Sequence, residues 1–376
     1  MPPSNIQPGC YDLIRGSQPR TMGRSLRTAL LALLASVVVG HPANAQSLTL
    51  SLLERYWDSL RQQSGIPGMS AAVVQDGRVI WEAGFGLSNV ERSIRAQPDT
   101  PYHIADLTEA LSATLFLEQC VETGHAGVDD RLQQWMPAFA EQGTTARDIL
   151  THRSQSGGFK YDSGRYATLT GFIEACIQKN PTPFRQAMTE KIFERLGMFD
   201  SVPAQNVDDG SADDRAIFSD GQLERFGRVL QRIAPPYRVS GGNPSVNTSV
   251  PKSLTAATGA ISTVRDLARF DRALDDSILL HRETMAAMWS SARTTSDAVM
   301  PTGLGWFIQN YNGNLVYWQF GLTPGAYSSL IIKVPEKHLT MILLANSDGL
   351  SAPFSLQDGD INSSLYARAF LRLFVG

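Results

Sequence analysis

Asp106 and Glu109 are the two residues of this chain whose type and spacing most clearly point to chemistry. They lie within residues 102–114, YHIADLTEALSAT, a segment apolar enough for a buried helix. Residues three apart on a helix lie on one face, about one turn from each other. Two like charges at that spacing repel, and burying them costs several kcal/mol unless they are paired or protonated. Stability alone does not explain this pair.

The elements predicted around the pair come from both ends of the chain. Near the N-terminus an amphipathic helix is predicted over 49–64, followed by a hairpin around Asp76-Gly77. Near the C-terminus strands are predicted at 316–319, 328–334 and 339–345, before a last amphipathic helix over 361–374. The middle of the chain, by contrast, has mainly helical and loop patterns. This order predicts one sheet built from both ends of the chain.

Composition is that of an ordinary soluble protein, with 43% hydrophobic residues, 18% charged residues and a net charge of -3. Such a balance gives no indication of nucleic-acid binding. Residues 1–45 have the pattern of an export signal: basic residues, a short apolar run at 28–40 and the small residues Ala43-Asn44-Ala45. We expect cleavage after Ala45, with Met1 or Met22 as the start. The expected location is periplasmic or secreted, with no transmembrane span after cleavage.

Cys120 and Cys176 both fall within predicted helices of the mature chain. An oxidising compartment would allow them to form one disulfide. Cysteines of this kind are more often small buried hydrophobic residues. We therefore predict two buried free cysteines, with the disulfide as the alternative.

Seven short motifs are spread along the mature chain. They are the segments that begin at Gly84 (GFGL), Pro98 (PxTP), Asp148 (DILTH), Lys191 (KIFxxLGM), Ser262 (STxxDLARF), Gly303 (GLGW) and Pro324 (PGAYSS). In this order they make the chain resemble the serine β-lactamase-related family, the group of class C β-lactamases, D,D-carboxypeptidases and related esterases. The resemblance extends from Gly68 to about Asn346.

This resemblance implies an α/β (α+β) fold of the β-lactamase/transpeptidase type, with an antiparallel sheet flanked by the terminal helices and an inserted helical domain. We expect residues 46–101 and 252–376 to form the α/β part and 102–251 the helical insertion. It also implies a serine nucleophile with a lysine three residues later, a tyrosine in Tyr-x-Asn, a basic strand motif and an oxyanion hole of backbone amides.

Most of these catalytic positions carry different residues here. Asp106 stands in the place of the nucleophilic serine and Glu109 in the place of the lysine. Tyr161 is kept, but Ser163 replaces the asparagine two residues later. On the strand, Gln319-Phe320-Gly321 replaces the basic motif, so that only its glycine remains. Ser163, Gln319, Gly321 and Tyr327 are the predicted ligand contacts, with Tyr161, Phe320 and Tyr327 as aromatic surface in the cleft.

These replacements change the chemistry. A carboxylate is a poor nucleophile for acyl transfer, and one acid of the pair would be driven toward its protonated form. A negative charge close to a developing oxyanion costs about 4 kcal/mol at roughly 4 Å and an effective dielectric of about 20. We predict that the serine mechanism is lost and that the carboxylates face a water-filled cleft.

Two ways of restoring catalysis were considered. Ser249 and Lys252 match Ser-x-x-Lys, but Pro251 and the surrounding loop composition make a helical turn unfavourable there. His103, Asp106, Glu109 and His152 could supply metal ligands, although His103 and Glu109 would be roughly 120° apart around a helix. We interpret both histidines as structural and predict neither metal nor cofactor.

Three functional hypotheses follow. The first is an exported, catalytically degenerate member that binds a peptide, a peptidoglycan-like fragment or another amide or ester ligand. The second is an active hydrolase that uses the acid pair with water or metal. The third is a protein-interaction module that does not use its cleft.

Overall fold

The computed structural model describes residues 42–177 and 182–376, with side chains from residue 46 onward. Most of the predicted export signal lies outside the described residues. The first described helix, α1, spans Pro42–Gln63 and so begins seven residues before the predicted start at Thr49. Its residues Leu53, Trp57 and Leu60 are buried, as their spacing predicts. Residues 50–376 form one unit that contains every element of the site.

A seven-stranded antiparallel sheet is the centre of this unit. Its strand order is β3-β2-β1-β11-β10-β9-β8. The strands are β1 Gly68–Gln75, β2 Arg78–Asn89, β3 Ile94–Arg95, β8 Phe307–Tyr311, β9 Asn314–Thr323, β10 Tyr327–Val334 and β11 Leu339–Ala345. Strands from the two ends of the chain meet where β1 pairs with β11, with Ala71 opposite Leu343. The predicted fold class is confirmed, whereas the division at residues 102 and 252 stays a prediction.

Both faces of the sheet are covered, which explains why β10 and β11 are buried along their whole length. One face packs against α1 and the last helix, α11, Leu365–Phe374. The other packs against helices from the middle of the chain and α9, Val264–Asp275. On that face Lys333 of β10 is almost fully buried and forms an ion pair with Asp271 of α9 at 2.9 Å.

The middle of the chain consists mainly of short helices. They are α2 Thr108–Phe116, α3 Ala146–Leu150, α4 Ser163–Tyr166, α5 Leu169–Cys176, α6 Phe184–Ala187, α7 Ala212–Ile217, α8 Asp220–Leu230 and α10 Arg282–Met288. Four further strands form two small sheets, β4 Tyr102–His103 with β7 Ile261–Ser262, and β5 Tyr237–Ser240 with β6 Asn243–Val246. The pattern did not predict β5 and β6, since they are short, mostly exposed and contain Pro244.

The two cysteines correct the prediction of free thiols. Cys120 follows α2 and Cys176 ends α5, and the structure joins them in a disulfide with their Cα atoms 5.7 Å apart. The residues are 56 apart in sequence, so only the packing of the two helical segments brings them together. The disulfide ties the helix that carries Glu109 to its neighbour.

Replacing both cysteines by alanine should lower the free energy of unfolding by about 4 kcal/mol, because a cross-link across this separation restricts the unfolded chain. Denaturant unfolding of the wild type and the Cys120→Ala/Cys176→Ala variant would measure it. A reducing agent should lower the stability of the wild type and leave the variant unchanged. Free thiols at both positions in the unfolded, unreduced wild type would contradict the pairing.

Candidate active site

Asp106 lies in a short turn that packs against strand β9. It belongs to a single turn of 3-10 helix, Ala105–Leu107, directly before α2. The backbone N–H of Leu322 on β9 donates a hydrogen bond to Asp106 Oδ2 at 3.1 Å. The carboxyl also lies close to the backbone N–H of Asp106 itself and to the Ser163 hydroxyl, which oppose in part the rise of its pKa that burial causes. Polar groups from three parts of the chain therefore meet at one carboxyl group.

Close contact between backbones makes this arrangement possible. Ala105 has a φ of 51°, a left-handed conformation that costs energy for a residue with a side chain. The Ser329 hydroxyl of β10 donates to the carbonyl of Ile104 at 2.7 Å and holds the turn against the sheet. A Cβ atom at Gly321 would lie 2.3 Å from that same carbonyl oxygen. Glycine is therefore required at residue 321 for the turn to approach β9.

Glu109 is completely buried in the first turn of α2. Its Oε2 accepts hydrogen bonds from His152 Nε2 and from Gln319 Nε2, each at 3.1 Å. Gly305 lies behind it with a φ of 78°, and a Cβ there would collide with Ala113. The glutamate is thus held by partners from a loop and a strand.

His152 is a neutral hydrogen-bond donor in this cluster. Its Nδ1 accepts a hydrogen bond from the backbone N–H of Asp162 at 3.2 Å, which places the imidazole proton on Nε2, facing Glu109. Burial lowers the pKa of His152 to about 3. The contact with Glu109 is therefore a hydrogen bond from a neutral imidazole rather than an ion pair. The structural interpretation of this residue agrees with these contacts.

Burial raises the pKa of both acids well above the usual carboxyl range. For Asp106 the second cause is electrostatic repulsion from Glu109, and for Glu109 burial is also the largest cause. No lysine or arginine in the described part of the chain forms an ion pair with either carboxyl or contributes to lowering its pKa. Both acids are therefore favoured in their protonated, uncharged forms. A protonated carboxyl donates a hydrogen bond and is not a nucleophile.

Tyr161 faces the acids. Its ring lies 4.5 Å from the His152 ring and 5.0 Å from the Phe320 ring. Its buried hydroxyl makes no hydrogen bond of good geometry, nor does the neighbouring Oε1 of Glu109. Burial first, and then Asp106 and Glu109, raise the pKa of Tyr161 well above its ordinary value. The phenolate that a proton-transfer role would use is therefore disfavoured.

The structure brings together six of the seven predicted site residues. Asp106, Glu109, Tyr161, Ser163, Gln319 and Gly321 lie around one cluster. Tyr327 lies apart: it is fully buried, its ring stacks on His103 at 5.4 Å and its hydroxyl donates to the carbonyl of Ala234. Phe320 is also buried. Tyr327 and Phe320 are therefore packed in the interior and do not form the aromatic cleft surface that the sequence predicted.

The expectation of carboxylates in a water-filled cleft is wrong. Only 6% of Asp106 is exposed and Glu109 is fully enclosed, since the loop with Tyr161 packs over them. An open pocket of about 490 Å³ lies on the outer side of this loop instead. It is lined by Glu141, Ser154, Gln155, Ser156, Gly158, Phe159, Lys160, Asp162 and Arg165.

The structure offers little support for the two other routes to catalysis, a metal site and the Ser249–Lys252 pair. The described residues contain no group of three or more His, Cys, Asp or Glu placed to hold a metal ion. His103 is turned away, with its Nδ1 accepting from the N–H of Ala105. Ser249 and Lys252 lie in an exposed segment without helix.

Three residues that contribute to the site were not predicted from the sequence. Leu322 acts through its backbone N–H, which no side-chain pattern reveals. Tyr166 donates from its hydroxyl to the Glu109 carbonyl at 3.1 Å. Asp162 orients His152, also through its backbone N–H. The sequence signals closest to these residues were the Tyr161-containing motif, which includes Asp162, and Gly321, which directly precedes Leu322.

Comparison with known proteins gives one family match over most of the chain. The Beta-lactamase family model matches residues 53–363. Penicillin-binding protein 4* of Bacillus subtilis is 22% identical over 329 residues, which cover 79% of this chain and 71% of that protein. The human mitochondrial serine beta-lactamase-like protein LACTB is 24% identical over 143 residues, 36% of this chain and 26% of LACTB.

Two solved structures share the fold. The octameric penicillin-binding protein homologue from Pyrococcus abyssi superposes with a TM-score of 0.67 at 21% identity, covering 86% of this chain and 77% of that one. The penicillin binding protein from Bacillus halodurans gives a TM-score of 0.61 at 17% identity, with coverage of 77% and 94%.

Amide replacement of the acids should stabilise the protein increasingly as pH rises. A carboxyl whose pKa is raised on folding stabilises the folded state fully below its ordinary pKa, and this contribution is lost as pH rises toward the folded pKa. Glu109→Gln and Asp106→Asn should each raise the free energy of unfolding by about 1–3 kcal/mol at pH 8 and by less at pH 5. Denaturant unfolding at both pH values would measure this.

The exposed carboxyl of Asp209 provides the control, since Asp209→Asn should give no gain that grows with pH. A loss of stability in Glu109→Gln and Asp106→Asn that increases from pH 5 to pH 8 would mean that the wild-type acids are ionised and stabilising.

Proposed function

The chain belongs to the Beta-lactamase family, and we propose that it is a catalytically degenerate member that binds a peptide or a peptidoglycan-like fragment after export. The family membership supports a related hydrolase or binding function. The choice between the two depends on the residues at the site, because a fold can persist when its chemistry is lost.

The observation that carries the proposal is the state of Asp106 and Glu109. Both positions at which the family's reaction needs a nucleophile and a base hold buried carboxyls with raised pKa values. A protonated acid neither attacks a carbonyl nor accepts the proton of an attacking group. Tyr161 cannot compensate, since its own pKa is raised.

The pocket outside the Tyr161 loop supports the binding role. It combines an aromatic ring, Phe159, with the hydroxyls of Ser154 and Ser156 and the charged side chain of Lys160. A few polar groups beside an aromatic surface are typical of sites for small ligands. Its volume of about 490 Å³ lies within the range of such sites. We place the ligand here rather than against the enclosed acids.

Two features support export to the periplasm or the exterior. The first 45 residues have the composition of a signal peptide. The Cys120–Cys176 disulfide is of the kind that persists in oxidising compartments. No helix in the described part of the chain has both the length and the hydropathy needed to cross a bilayer.

Restoring the family residues should restore covalent chemistry. The Asp106→Ser/Glu109→Lys variant should gain the mass of one penicillin molecule in intact-protein mass spectrometry, because residue 106 lies at the edge of the enclosed region, the smaller serine side chain leaves room there, and the Leu322 N–H is already in place. The wild type should remain unlabelled and should not hydrolyse a chromogenic cephalosporin or a short nitrophenyl ester.

The single variants Asp106→Ser and Glu109→Lys are the controls, since each lacks half of the pair. Hydrolysis by the wild type that Asp106→Ala abolishes would instead establish the acid-pair hydrolase. Loss of that activity in a chelator would indicate its metal-assisted form. A protein partner that binds without any ligand, and binds the wild type and every pocket variant equally, would favour the interaction module.

The pocket itself can be tested with soluble fragments from digested peptidoglycan. Removing the Lys160 side chain should weaken binding about fivefold, because one exposed charged contact contributes about 1 kcal/mol. Isothermal titration of the wild type and Lys160→Ala would measure this. Lys252→Ala, another exposed lysine outside the pocket, should bind like the wild type. Equal weakening by both substitutions, or none by either, would argue against this pocket.

A further inference from the structure

Four charged side chains line the open pocket of about 490 Å³, and two of them are already paired with each other. Arg165 Nε lies 2.8 Å from Glu141 Oε2, and Arg165 Nη1 donates to the carbonyl of Arg153 at 2.8 Å. The side chains of Lys160 and Asp162 form no ion pair with any residue that the structure describes. The pocket therefore offers a ligand one positive and one negative charge that the protein leaves unpaired.

The two unpaired charges stand on the same side of one fixed segment. Asp162 has extended backbone angles, φ -155° and ψ 91°, and lies two residues after Lys160. The N–H of Lys160 donates to the carbonyl of His152 at 2.9 Å, and the N–H of Asp162 donates to Nδ1 of the same histidine at 3.2 Å. Residues two apart in an extended segment lie on one face, about 7 Å from each other. The charges are therefore close enough to meet a single small molecule.

Asp162 is also oriented for a ligand. Its Oδ1 accepts a hydrogen bond from the N–H of Arg165 at 2.9 Å, which fixes the carboxylate at the start of α4. Its Oδ2 accepts none from the described residues and is available to an ammonium group. The ring of Phe159 also lines the pocket and packs edge-on against Phe307, with the ring centroids 6.1 Å apart. The pocket thus combines two opposite charges with an apolar surface.

We propose that this pocket recognises the zwitterionic group of an α-amino acid, in which a free ammonium and a free carboxylate share one carbon atom. Lys160 pairs with the carboxylate and Asp162 with the ammonium, because each charge is stabilised by a partner of opposite sign. Phe159 contacts the apolar part of the ligand. The inference rests on the proposed binding function and adds the chemical class of the ligand. A free amino acid carries this group, and so does a chain attached through an amino-acid side chain.

Two isomeric dipeptides test the proposal. γ-Glutamylalanine is linked through the side chain of its glutamate and keeps an ammonium and a carboxylate on one carbon, whereas α-glutamylalanine has the same composition and charge but lacks that group. In isothermal titration the wild type should bind the γ-isomer about fivefold more tightly, because only this isomer can contact both charges at once. Binding of free alanine as well would show that the group alone suffices, and binding of the γ-isomer without alanine would assign a side-chain-linked ligand.

Lys160→Met and Asp162→Asn each remove one charge from the pocket, and the asparagine can still accept from the N–H of Arg165. Each substitution should bring the affinity ratio of the two isomers close to one, since the two contacts with the zwitterion act together. Lys252→Met and Asp209→Asn, at exposed residues outside the pocket, should keep the wild-type ratio.

Equal affinity of the wild type for the two isomers would overturn this inference, and so would a preference for the γ-isomer that both pocket variants retain. If peptidoglycan fragments bind in a way that depends on Lys160 while the isomers bind equally, this inference alone fails. If neither the fragments nor the γ-isomer binds, the proposed function fails with it.

Discussion

The close approach of residues 104–106 to strands β9 and β10 is the constraint on which the site depends. The Ser329 hydroxyl binds the Ile104 carbonyl, and Gly321 leaves room for that carbonyl beside the strand. Ala105 adopts a left-handed conformation to complete the turn. This contact places the first turn of α2 beside the strand, so that the side chain of residue 106 meets the Leu322 N–H. The side chain that this contact places beside the strand is an acid, Asp106.

The structure accommodates two carboxyls in one buried cluster under conditions that favour their uncharged forms. Unpaired buried charges would cost several kcal/mol, but a protonated acid needs only hydrogen-bond partners. Glu109 obtains donors from His152 and Gln319, and Asp106 obtains one from Leu322. Gln319 fits this chemistry, because its amide donates to Glu109 without introducing a charge. The side chains at residues 109 and 319 are therefore mutually compatible.

Enclosure separates the two acids from the open pocket on the outer side of the Tyr161 loop. The segment containing Tyr161 is held on His152 by hydrogen bonds from the N–H groups of Lys160 and Asp162. The Tyr161 ring covers the acids from the inner side, whereas Lys160 and Asp162 line the pocket on the outer side. Side chains alternate across an extended segment, which explains how one stretch of chain has both roles. The acids and the open pocket thus lie on opposite sides of the same loop.

The sequence alone determined the terminal helices, most strands of the sheet and the identity of the acid pair, because periodicity and residue type are local properties. It predicted the fold class correctly but favoured free cysteines over the disulfide, and it missed the short strands β3 to β7 and the burial of the acids. The tertiary structure decided these, along with the partners of each acid. Asp106 meets Leu322 across 216 residues and Glu109 meets Gln319 across 210, distances over which sequence patterns carry no geometry. Whether a carboxyl is charged depends on burial and on such distant donors, which only folding brings together.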